Sequence, residues 1–299
     1  MKSPSPNTIR NIALVAHGDA GKTSLAEAML LAGKAIQRMG KVDDGSSALD
    51  YADNEKKRGI TINLGLGNLK WSDTKVNLLD CPGYADFYGD VKAGIAVADG
   101  AVLLVAAPAG VEVGTELVWQ FLDRLSRPRV IVINKMDKEH ADYGKCLKDC
   151  QEALGARLAP VTIPIGSADG FKGIINLIEE KAYLYEGPGK FKKEDIPADM
   201  ADEAADLRTQ LIEAAAESDE ELMEKFFGEE TLSKDEILRG LKAGVAAATI
   251  VPTLAAAATS GVGVEPLLDV IVGVMPSPAD MPAAVGTKPG YLPRGRVDG

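Results

Sequence analysis

A short glycine-rich stretch of the chain has the residue types that bind phosphate. It reads AHGDAGKTSL, from Ala16 to Leu25, and lies between an apolar run and a helical pattern. In that setting backbone N–H groups and a helix N-terminus cradle phosphates, a lysine reaches the β- and γ-phosphates, and a hydroxyl binds Mg²⁺. Lys22 and Thr23 hold the lysine and hydroxyl positions. The predicted P-loop consists of Ala16, His17, Gly18, Asp19, Ala20, Gly21, Lys22, Thr23 and Ser24.

Ala16 replaces the usual first glycine of a P-loop, so a strict motif search would miss this stretch. The alternative is a chance Gly-Lys-Thr in an ordinary turn. The strand pattern before the loop and the helix pattern after it favour the P-loop.

A second phosphate-sensing candidate follows another apolar run. Asp80 ends the run VNLLD, where a carboxylate can hold Mg²⁺ through water. Gly83 follows, and its missing side chain allows its N–H to approach a γ-phosphate and its backbone to flip. The same turn contains Cys81, Pro82 and Tyr84, which we include in the predicted nucleotide site. Asp-x-Pro-Gly also suits a plain turn, but its place after a strand and a P-loop favours nucleotide sensing.

A third motif predicts which base is bound. NKMD, from Asn134 to Asp137, follows the apolar run VIVI. The Asp137 carboxylate can accept two hydrogen bonds from guanine, whereas adenine would leave its charge unpaired at a cost of about 1–3 kcal/mol per lost bond. Lys135 would cover the base plane, Asn134 would tie the loop to the P-loop, and Met136 completes the motif. Three motifs in this order predict a protein that binds GTP and GDP.

The stretch RGITI, from Arg58 to Ile62, lies between the P-loop and Asp80, where a switch loop belongs. Thr61 is the candidate for a second hydroxyl on Mg²⁺, held while a γ-phosphate is present. The alternative is a β-strand through GITINLGLG, which begins at Gly59.

These motifs require strands and helices that alternate. The predicted strands are IALVA (12–16), VNLL (76–79), AVLLVA (101–106), VIVIN (130–134) and VTIPI (161–165), and the predicted helices lie near 22–32, 86–98, 114–126 and 141–154. Continuous apolar strands between helices indicate a parallel sheet covered on both faces. We predict an α/β P-loop NTPase fold, with the site at the carboxyl ends of the strands.

A mostly helical α+β insertion is expected to interrupt this fold. We assign residues 1–155 and 250–275 to the nucleotide-binding core, 156–249 to the insertion, and 276–299 to a linker or tail, part of which need not be native. The core resumes with the strand IVPTLAAAA (250–258) and a last helix, VGVEPLLDVIVGVM. Within the insertion, Ser233 and Glu236 have the spacing of a capping box.

Charge is concentrated in one segment. The 299-residue chain has a net charge of −11, and residues Glu179 to Glu236 carry 19 acidic and 7 basic residues. This surface is either simply solvated or a docking face for a basic partner. The acidic balance argues against free DNA or RNA as a ligand. No apolar stretch is long enough for a membrane span or signal peptide, and Cys81, Cys146 and Cys150 lack metal or disulfide spacing, so we expect a cytoplasmic protein.

The segments RGITI, NKMDK, PIGSADGFKGIINLI, ELMEKFFGEE and VEPLLDVIVGVMPSP resemble, in this order, the GTPase domain of elongation factor G. The resemblance covers nearly the whole chain up to Pro278 and implies a monomeric partner of the ribosome. The insertion then corresponds to the G′ subdomain, which in that family meets the ribosomal stalk protein. The family's chain continues into further domains, so we expect this chain to be a piece of a longer protein, with a stand-alone GTPase as the alternative.

Several residues depart from the family pattern. Tyr84 stands where the family carries its catalytic histidine, and Gly18 replaces a branched apolar residue. In the family, that residue and the one matching Ile60 flank the path of the histidine, so Gly18 would make room for Tyr84. The base-binding Ser-Ala aligns with Ala257 and Ala258, of which Ala258 keeps an N–H for the guanine O6. Some relatives also suggest a monovalent cation near Asp19. The segments GYADF and GVEVGTELVW most resemble elongation-factor-G-like paralogues.

The expected function is Mg²⁺-dependent GTP hydrolysis, slow alone and stimulated by the ribosome, in translocation or a related step. The catalytic candidates are Lys22, Ile60, Thr61, Gly83 and Tyr84. A phenol can orient water but carries no positive charge, so Tyr84 would act by positioning. Tyr84 could instead pack away from the nucleotide. The alternatives are a catalytically weak GTP/GDP switch and a GTPase of a release or recycling factor.

Overall fold

The computed structural model describes residues 4–229 and 231–283. In chain order the strands are β1 (Ile9–Ala16), β2 (Gly65–Trp71), β3 (Thr74–Asp80), β4 (Gly100–Ala106), β5 (Arg129–Asn134), β6 (Leu158–Pro160), β7 (Thr162–Ile165), β8 (Gly173–Asn176), β9 (Lys181–Gly187), β10 (Lys190–Glu194) and β11 (Val251–Ala255). The helices are α1 (Lys22–Ala32), α2 (Asp53–Arg58), α3 (Tyr88–Val97), α4 (Val113–Arg124), α5 (Tyr143–Leu154), α6 (Ala201–Ala216), α7 (Glu220–Glu229), α8 (Lys234–Ala246) and α9 (Val264–Gly273).

The larger of two sheets carries the predicted motifs. Its strand order is β2-β3-β1-β4-β5-β11-β6, and every neighbouring pair is parallel except β2 and β3. All residues of β4 and β5 are buried, as continuous apolar strands covered on both faces require. The predicted α/β fold with a mostly parallel sheet is therefore confirmed. Because these strands are parallel, the carboxyl ends of β1, β3 and β5 lie at the same end of the sheet, and each leads into one of the predicted motifs.

The smaller sheet is antiparallel, with the order β10-β9-β8-β7. The assignment of VTIPI to the parallel sheet was wrong, since β7 pairs with β8 and belongs to this second sheet. The chain changes sheets at Val161, whose N–H donates to Thr253 O and whose carbonyl accepts from the Leu177 N–H. The short strand β6 before it pairs with β11 in the larger sheet. A continuous apolar run thus spans two strands of different sheets, which periodicity does not reveal.

Helices α6, α7 and α8 pack together, and α6 and α8 contact β6 and β11 of the larger sheet. The predicted capping box begins α8, because Ser233 Oγ accepts from the Glu236 N–H and Glu236 Oε2 accepts from the Ser233 N–H at 2.8 Å. This segment therefore combines three helices with an antiparallel sheet. Its first strand in the chain, β6, lies in the larger sheet although residue 156 was the proposed start of the insertion.

The end of the described chain packs on the core. Pro276, Ser277 and Pro278 are buried, so the first residues of the expected tail are part of the folded body. The remainder of that tail, residues 284–299, lies outside the described residues. Within the described part of the chain, no helix has both the length and the apolar character needed to cross a membrane.

Candidate nucleotide-binding site

The P-loop connects β1 to α1 in the way the sequence predicts. Asp19 and Gly21 adopt left-handed backbone conformations, with φ of +59° and +94°. A Cβ at Gly21 would lie 2.6 Å from Asn134 Nδ2, so only glycine fits there. The N–H groups of the first turn of α1 are therefore free of side-chain caps and face the cleft, as an anion cradle requires.

Lys22 is buried at the start of α1, and its Nζ donates to His17 O at 3.1 Å. Burial lowers the pKa of Lys22, and the nearby carboxylates of Asp80 and Asp19 oppose that effect. The lysine lacks a close carboxylate partner among the described residues. A phosphate at this position would supply the missing negative charge.

The two predicted magnesium hydroxyls are in contact. Thr23 Oγ1 and Thr61 Oγ1 lie 2.9 Å apart, and Thr61 Oγ1 donates to Asp50 Oδ1 at 2.9 Å. The buried Asp50 was not among the predicted site residues. Nothing in its local sequence distinguishes it from other acidic residues of the long segment before Thr61.

Asp80 ends β3 directly below these hydroxyls and is fully buried. Neither of its carboxylate oxygens has a hydrogen-bond partner in the described part of the chain, and burial raises the pKa of Asp80 to about 7. An orphaned carboxylate beside two hydroxyls is a set of hard oxygen donors. This set of oxygen donors fits a hard divalent cation such as Mg²⁺.

Gly83 and Gly18 permit an unusually close approach of the next turn to the P-loop. A Cβ at Gly83 would lie 2.4 Å from Lys22 Nζ and 2.9 Å from Gly18 Cα. A Cβ at Gly18 would lie 3.1 Å from Cε1 of Tyr84. The Tyr84 ring therefore packs on the Gly18 backbone, in the space that a branched side chain at position 18 would occupy.

The Tyr84 hydroxyl donates to Asp19 Oδ2 at 3.1 Å. Burial raises the pKa of Tyr84, and the Asp19 carboxylate adds to that shift. The phenol is therefore neutral at physiological pH. This contact joins the phosphate-sensing turn to the tip of the P-loop, and Tyr84 faces the predicted site rather than away from it.

The base-binding end is held together by Asn134. Its Nδ2 donates to Ala20 O at 2.9 Å, which is the predicted tie between this loop and the P-loop. Its Oδ1 accepts from the Ala258 N–H at 3.0 Å. That N–H, predicted to reach the guanine O6, is thus directed at Asn134 in this structure. The same loop is held by the bridge between Ala257 and Val262 and by the Ala256 N–H, which donates to Ile133 O on β5.

Asp137 and Lys135, the residues predicted to recognise the base, lie in the loop after β5, and of the two Lys135 lines the cleft. Asp137 Oδ2 accepts from Thr259 Oγ1 at 3.3 Å and lies 3.2 Å from Lys138 Nζ. Lys135 has a left-handed backbone, with φ of +64°, and its side chain lines the cleft. Met136 is buried below, where its N–H donates to Ala256 O. Thr259 and Lys138 were not among the predicted site residues, although Lys138 ends the quoted segment NKMDK.

One cleft of 370 Å³ joins these features. The predicted residues that line it are Gly18, Asp19, Gly21, Lys22, Thr23, Ser24, Ile60, Thr61, Gly83, Tyr84 and Lys135, together with the unpredicted Val42, Asp43, Gly59, Lys138 and Thr259. The other predicted site residues, Asp80, Asn134 and Asp137 among them, are not part of the lining of this cleft. Cys81 is buried and its Sγ lies 3.7 Å from Leu79 O, and the His17 side chain points toward Glu112.

Two buried glutamates hold the segments in front of the cleft. Glu27 on α1 accepts hydrogen bonds from Gly40 N, Ser47 Oγ and Ala48 N. Glu55 on α2 accepts from the N–H groups of Ala52, Ile62 and Asn63. Burial would raise the pKa of Glu55, but these backbone hydrogen bonds outweigh it and leave the pKa below its usual value. Glu27 was not predicted, although a lone acid in the apolar stretch LAEAMLL is a sequence signal that could have identified it.

Comparison with known proteins identifies both a matching family and a similar solved structure. The family profile of the elongation factor Tu GTP binding domain matches residues 7–277. A crystal structure of a protein from Thermus thermophilus superposes with a TM-score of 0.86 at 34% sequence identity. The match covers 92% of this chain but 41% of the Thermus protein, so the chain spans about two fifths of that relative's length.

Proposed function

Because the chain belongs to the elongation factor Tu GTP binding domain family, we propose that it is the GTP-hydrolysing switch of a factor that works on the ribosome. It is a translational GTPase domain of the elongation-factor-G type, which uses GTP, GDP and Mg²⁺. The observation that carries the proposal is the single cleft that joins the P-loop, Thr61, Gly83 and Lys135.

The phosphate end has a clear division of roles. Lys22 and the backbone N–H groups of the P-loop bind the phosphates, and the Gly83 N–H senses the γ-phosphate. Thr23, Thr61 and Asp80 would hold Mg²⁺, which supplies positive charge against the phosphate oxygens. Thr61 already contacts Thr23 and Asp50, so loss of the γ-phosphate would release a segment that several contacts restrain. Ile60 lies beside Thr61 and closes the cleft over the reacting phosphate.

The base end selects guanine through Asp137, with Lys135 over the ring. Asn134 couples this end to the P-loop through Ala20. The base-binding role of Ala258 requires its N–H to turn from Asn134 toward the guanine O6.

Hydrolysis would be slow in the isolated domain and stimulated by ribosomes. Tyr84 replaces the family histidine, and a neutral phenol orients a water molecule without adding positive charge. Phosphoryl transfer depends mainly on positioning and electrostatics, so such a residue can still support turnover. We assign the chain to a translocation-related step of an elongation-factor-G-like paralogue in the cytoplasm, acting as a monomer.

A second candidate function follows from the same residue. If Tyr84 adds nothing to hydrolysis, the domain is a GTP/GDP-binding switch that signals by the nucleotide it holds. The Tyr84 hydroxyl already has a partner in Asp19, which favours a structural use of the phenol. A release or recycling factor is the third possibility and shares every feature of this site. A monovalent cation beside Asp19 would compete with Tyr84 for the same carboxylate.

The acidic insertion would dock the stalk protein of the ribosome. Three exposed acids on α6, namely Asp202, Asp206 and Glu213, form no ion pair with a described residue. Spacings of four and seven residues place them on one helix face. A face of unpaired negative charge suits a basic partner.

GTP hydrolysis with and without ribosomes tests the proposal. Wild type is compared with Tyr84→Phe and Tyr84→His, each at saturating GTP. The proposed function requires ribosome stimulation of wild type and its loss in Tyr84→Phe. If wild type and Tyr84→Phe are equally inactive in GTP hydrolysis while Tyr84→His gains activity, the result would instead support the nucleotide switch.

A further inference from the structure

Tyr84 makes two contacts with the P-loop, and they come from neighbouring residues. Its ring packs on Gly18, where a Cβ would lie 3.1 Å from Cε1 and 3.2 Å from Cζ. Its hydroxyl donates to Asp19 Oδ2 at 3.1 Å. One contact fixes the plane of the ring, and the other fixes the direction of its hydroxyl.

The backbone on each side of Tyr84 limits where the ring can go. Gly83 is packed against Lys22 and Gly18. After Tyr84 the chain forms a 3₁₀ turn over Ala85–Phe87, and the Phe87 N–H donates to Tyr84 O at 3.0 Å. With the main chain held at both sides, the ring can move only by rotation about its own side-chain bonds, and the hydrogen bond to Asp19 favours one of these rotamers.

Asp19 is suited to this task by its backbone. Its φ of +59° is a left-handed conformation that aspartate and asparagine tolerate better than other residues with a Cβ. It lies at the exposed tip of the P-loop and lines the same cleft as Lys22 and Thr61. The Asp19 carboxylate therefore contacts the Tyr84 hydroxyl from a position that also lines the phosphate-binding cleft.

We propose that Asp19 is a positioning residue that holds Tyr84 by its hydroxyl proton, so that the phenol oxygen presents lone pairs to the attacking water. A phenol has one proton to donate, and Asp19 takes it. The oxygen can then only accept a hydrogen bond, and donation to a carboxylate makes it a stronger acceptor. The inference rests on the proposed GTP hydrolysis, and it gives Asp19 and Gly18 a role that depends on Tyr84.

The test compares Asp19→Gly and Asp19→Asn in two backgrounds. Glycine removes the carboxylate and adopts the left-handed backbone without strain. Asparagine keeps an oxygen that can accept the phenol proton. Single-turnover hydrolysis at saturating GTP with ribosomes is measured for each variant with Tyr84 and with Tyr84→Phe.

We expect Asp19→Gly to lower the rate about tenfold with Tyr84 present, as loss of a charged hydrogen-bond partner implies. Asp19→Asn should keep most of the rate. In the Tyr84→Phe background neither change should lower the rate further. Equal losses in both backgrounds would overturn the proposal, because Asp19 would then act independently of Tyr84, for example by holding a cation. An unchanged rate in Asp19→Gly would overturn it as well.

A structural readout separates this inference from the proposed function. The Tyr84 ring should shift the NMR signals of the Gly18 Hα protons, and Tyr84→Ala, which removes the ring, identifies the part of the shift that the ring causes. Asp19→Gly should move these signals toward random-coil values, and Asp19→Asn should not. If the signals respond but no variant hydrolyses GTP, the positioning holds and hydrolysis is wrong. If Asp19→Gly leaves the signals unchanged, the positioning is wrong whatever the activity.

Discussion

At the scale of single residues, Gly18 and Tyr84 depend on each other. The ring occupies the space that a side chain at position 18 would need. The sequence alone predicts this relation. Compared with the family pattern, Tyr84 is larger than the histidine that it replaces, and Gly18 lacks the side chain that would otherwise be beside it. The Asp19 partner is not predictable in the same way, since it depends on the rotamer of Tyr84 and the left-handed backbone of Asp19.

Gly18→Val should therefore be destabilising only while Tyr84 is present. We expect it to lower the free energy of unfolding by about 1–3 kcal/mol, as overpacked sites do. In a Tyr84→Ala background the cost should fall below about 1 kcal/mol. Urea unfolding of the four proteins gives this coupling. A cost that is the same in both backgrounds would show that the valine meets something other than the ring.

At the scale of elements, the core strands and helices were predictable from periodicity, and the predicted helix at 22–32 matches α1. The assignment of each strand to one of the two sheets was less predictable. The run from Leu158 to Ile165 is apolar throughout, and the change of partner at Val161 depends on hydrogen bonds to residues far along the chain. Of the segment GITINLGLG, the part from Gly65 onward is strand β2, while Thr61 lies outside any strand. The pattern of residues in this segment does not show where the loop with Thr61 ends and strand β2 begins.

Glu27 determines how firmly the segment in front of the cleft is held. Glu27→Gln replaces a carboxylate acceptor with an amide and should weaken its three hydrogen bonds. We expect a loss of about 1–3 kcal/mol in unfolding free energy and faster hydrogen exchange at Gly40 and Ala48. Glu116→Gln, at an exposed site on α4, is the matched control. Exchange that is equally fast in both variants would argue against this anchor.

Glu179 joins the smaller sheet to α8 and should make stability depend on pH. It accepts hydrogen bonds from Lys193 on β10 and Lys234 on α8, each at 2.6 Å. Burial would raise the pKa of Glu179, but these lysines and Tyr183 outweigh it and lower the pKa to about 2.

A carboxylate with a lowered pKa stabilises the fold above its unfolded pKa of about 4.3. The contribution of Glu179 should disappear as pH falls from about 4 to 2. Solvent screening of the half-exposed lysines limits it to about 1 kcal/mol. Glu179→Gln should therefore lower stability at pH 7 and flatten the loss between pH 4 and 2, measured by urea unfolding. Parallel curves for wild type and variant would contradict this assignment.

At the scale of the whole molecule, the acidic face on α6 predicts how the domain meets a large partner. Changing Asp202, Asp206 and Glu213 to the corresponding amides should reduce ribosome-stimulated GTP hydrolysis several-fold. The unstimulated rate should be unchanged, since none of the three lines the cleft. The amide variants of Glu116, Glu139 and Glu152 remove the same charge from the nucleotide-binding core and serve as the control. An equal effect of both sets would point to net charge rather than a docking face.

Strand β11 lies between β5 and β6 in the finished sheet, yet it comes last in sequence among the strands of residues 4–283. During synthesis, the edge of β5 stays unpaired until the whole insertion and then β11 have emerged. The loop after β11, with Ala257 and Ala258, forms later still, so the nascent chain passes through a stage with a P-loop and the NKMD segment but an incomplete guanine site. A chain ending at Ile250 should gain no protease resistance from GDP, whereas one ending at residue 283 should. Resistance in the shorter chain would mean that the nucleotide can be captured before the sheet is complete.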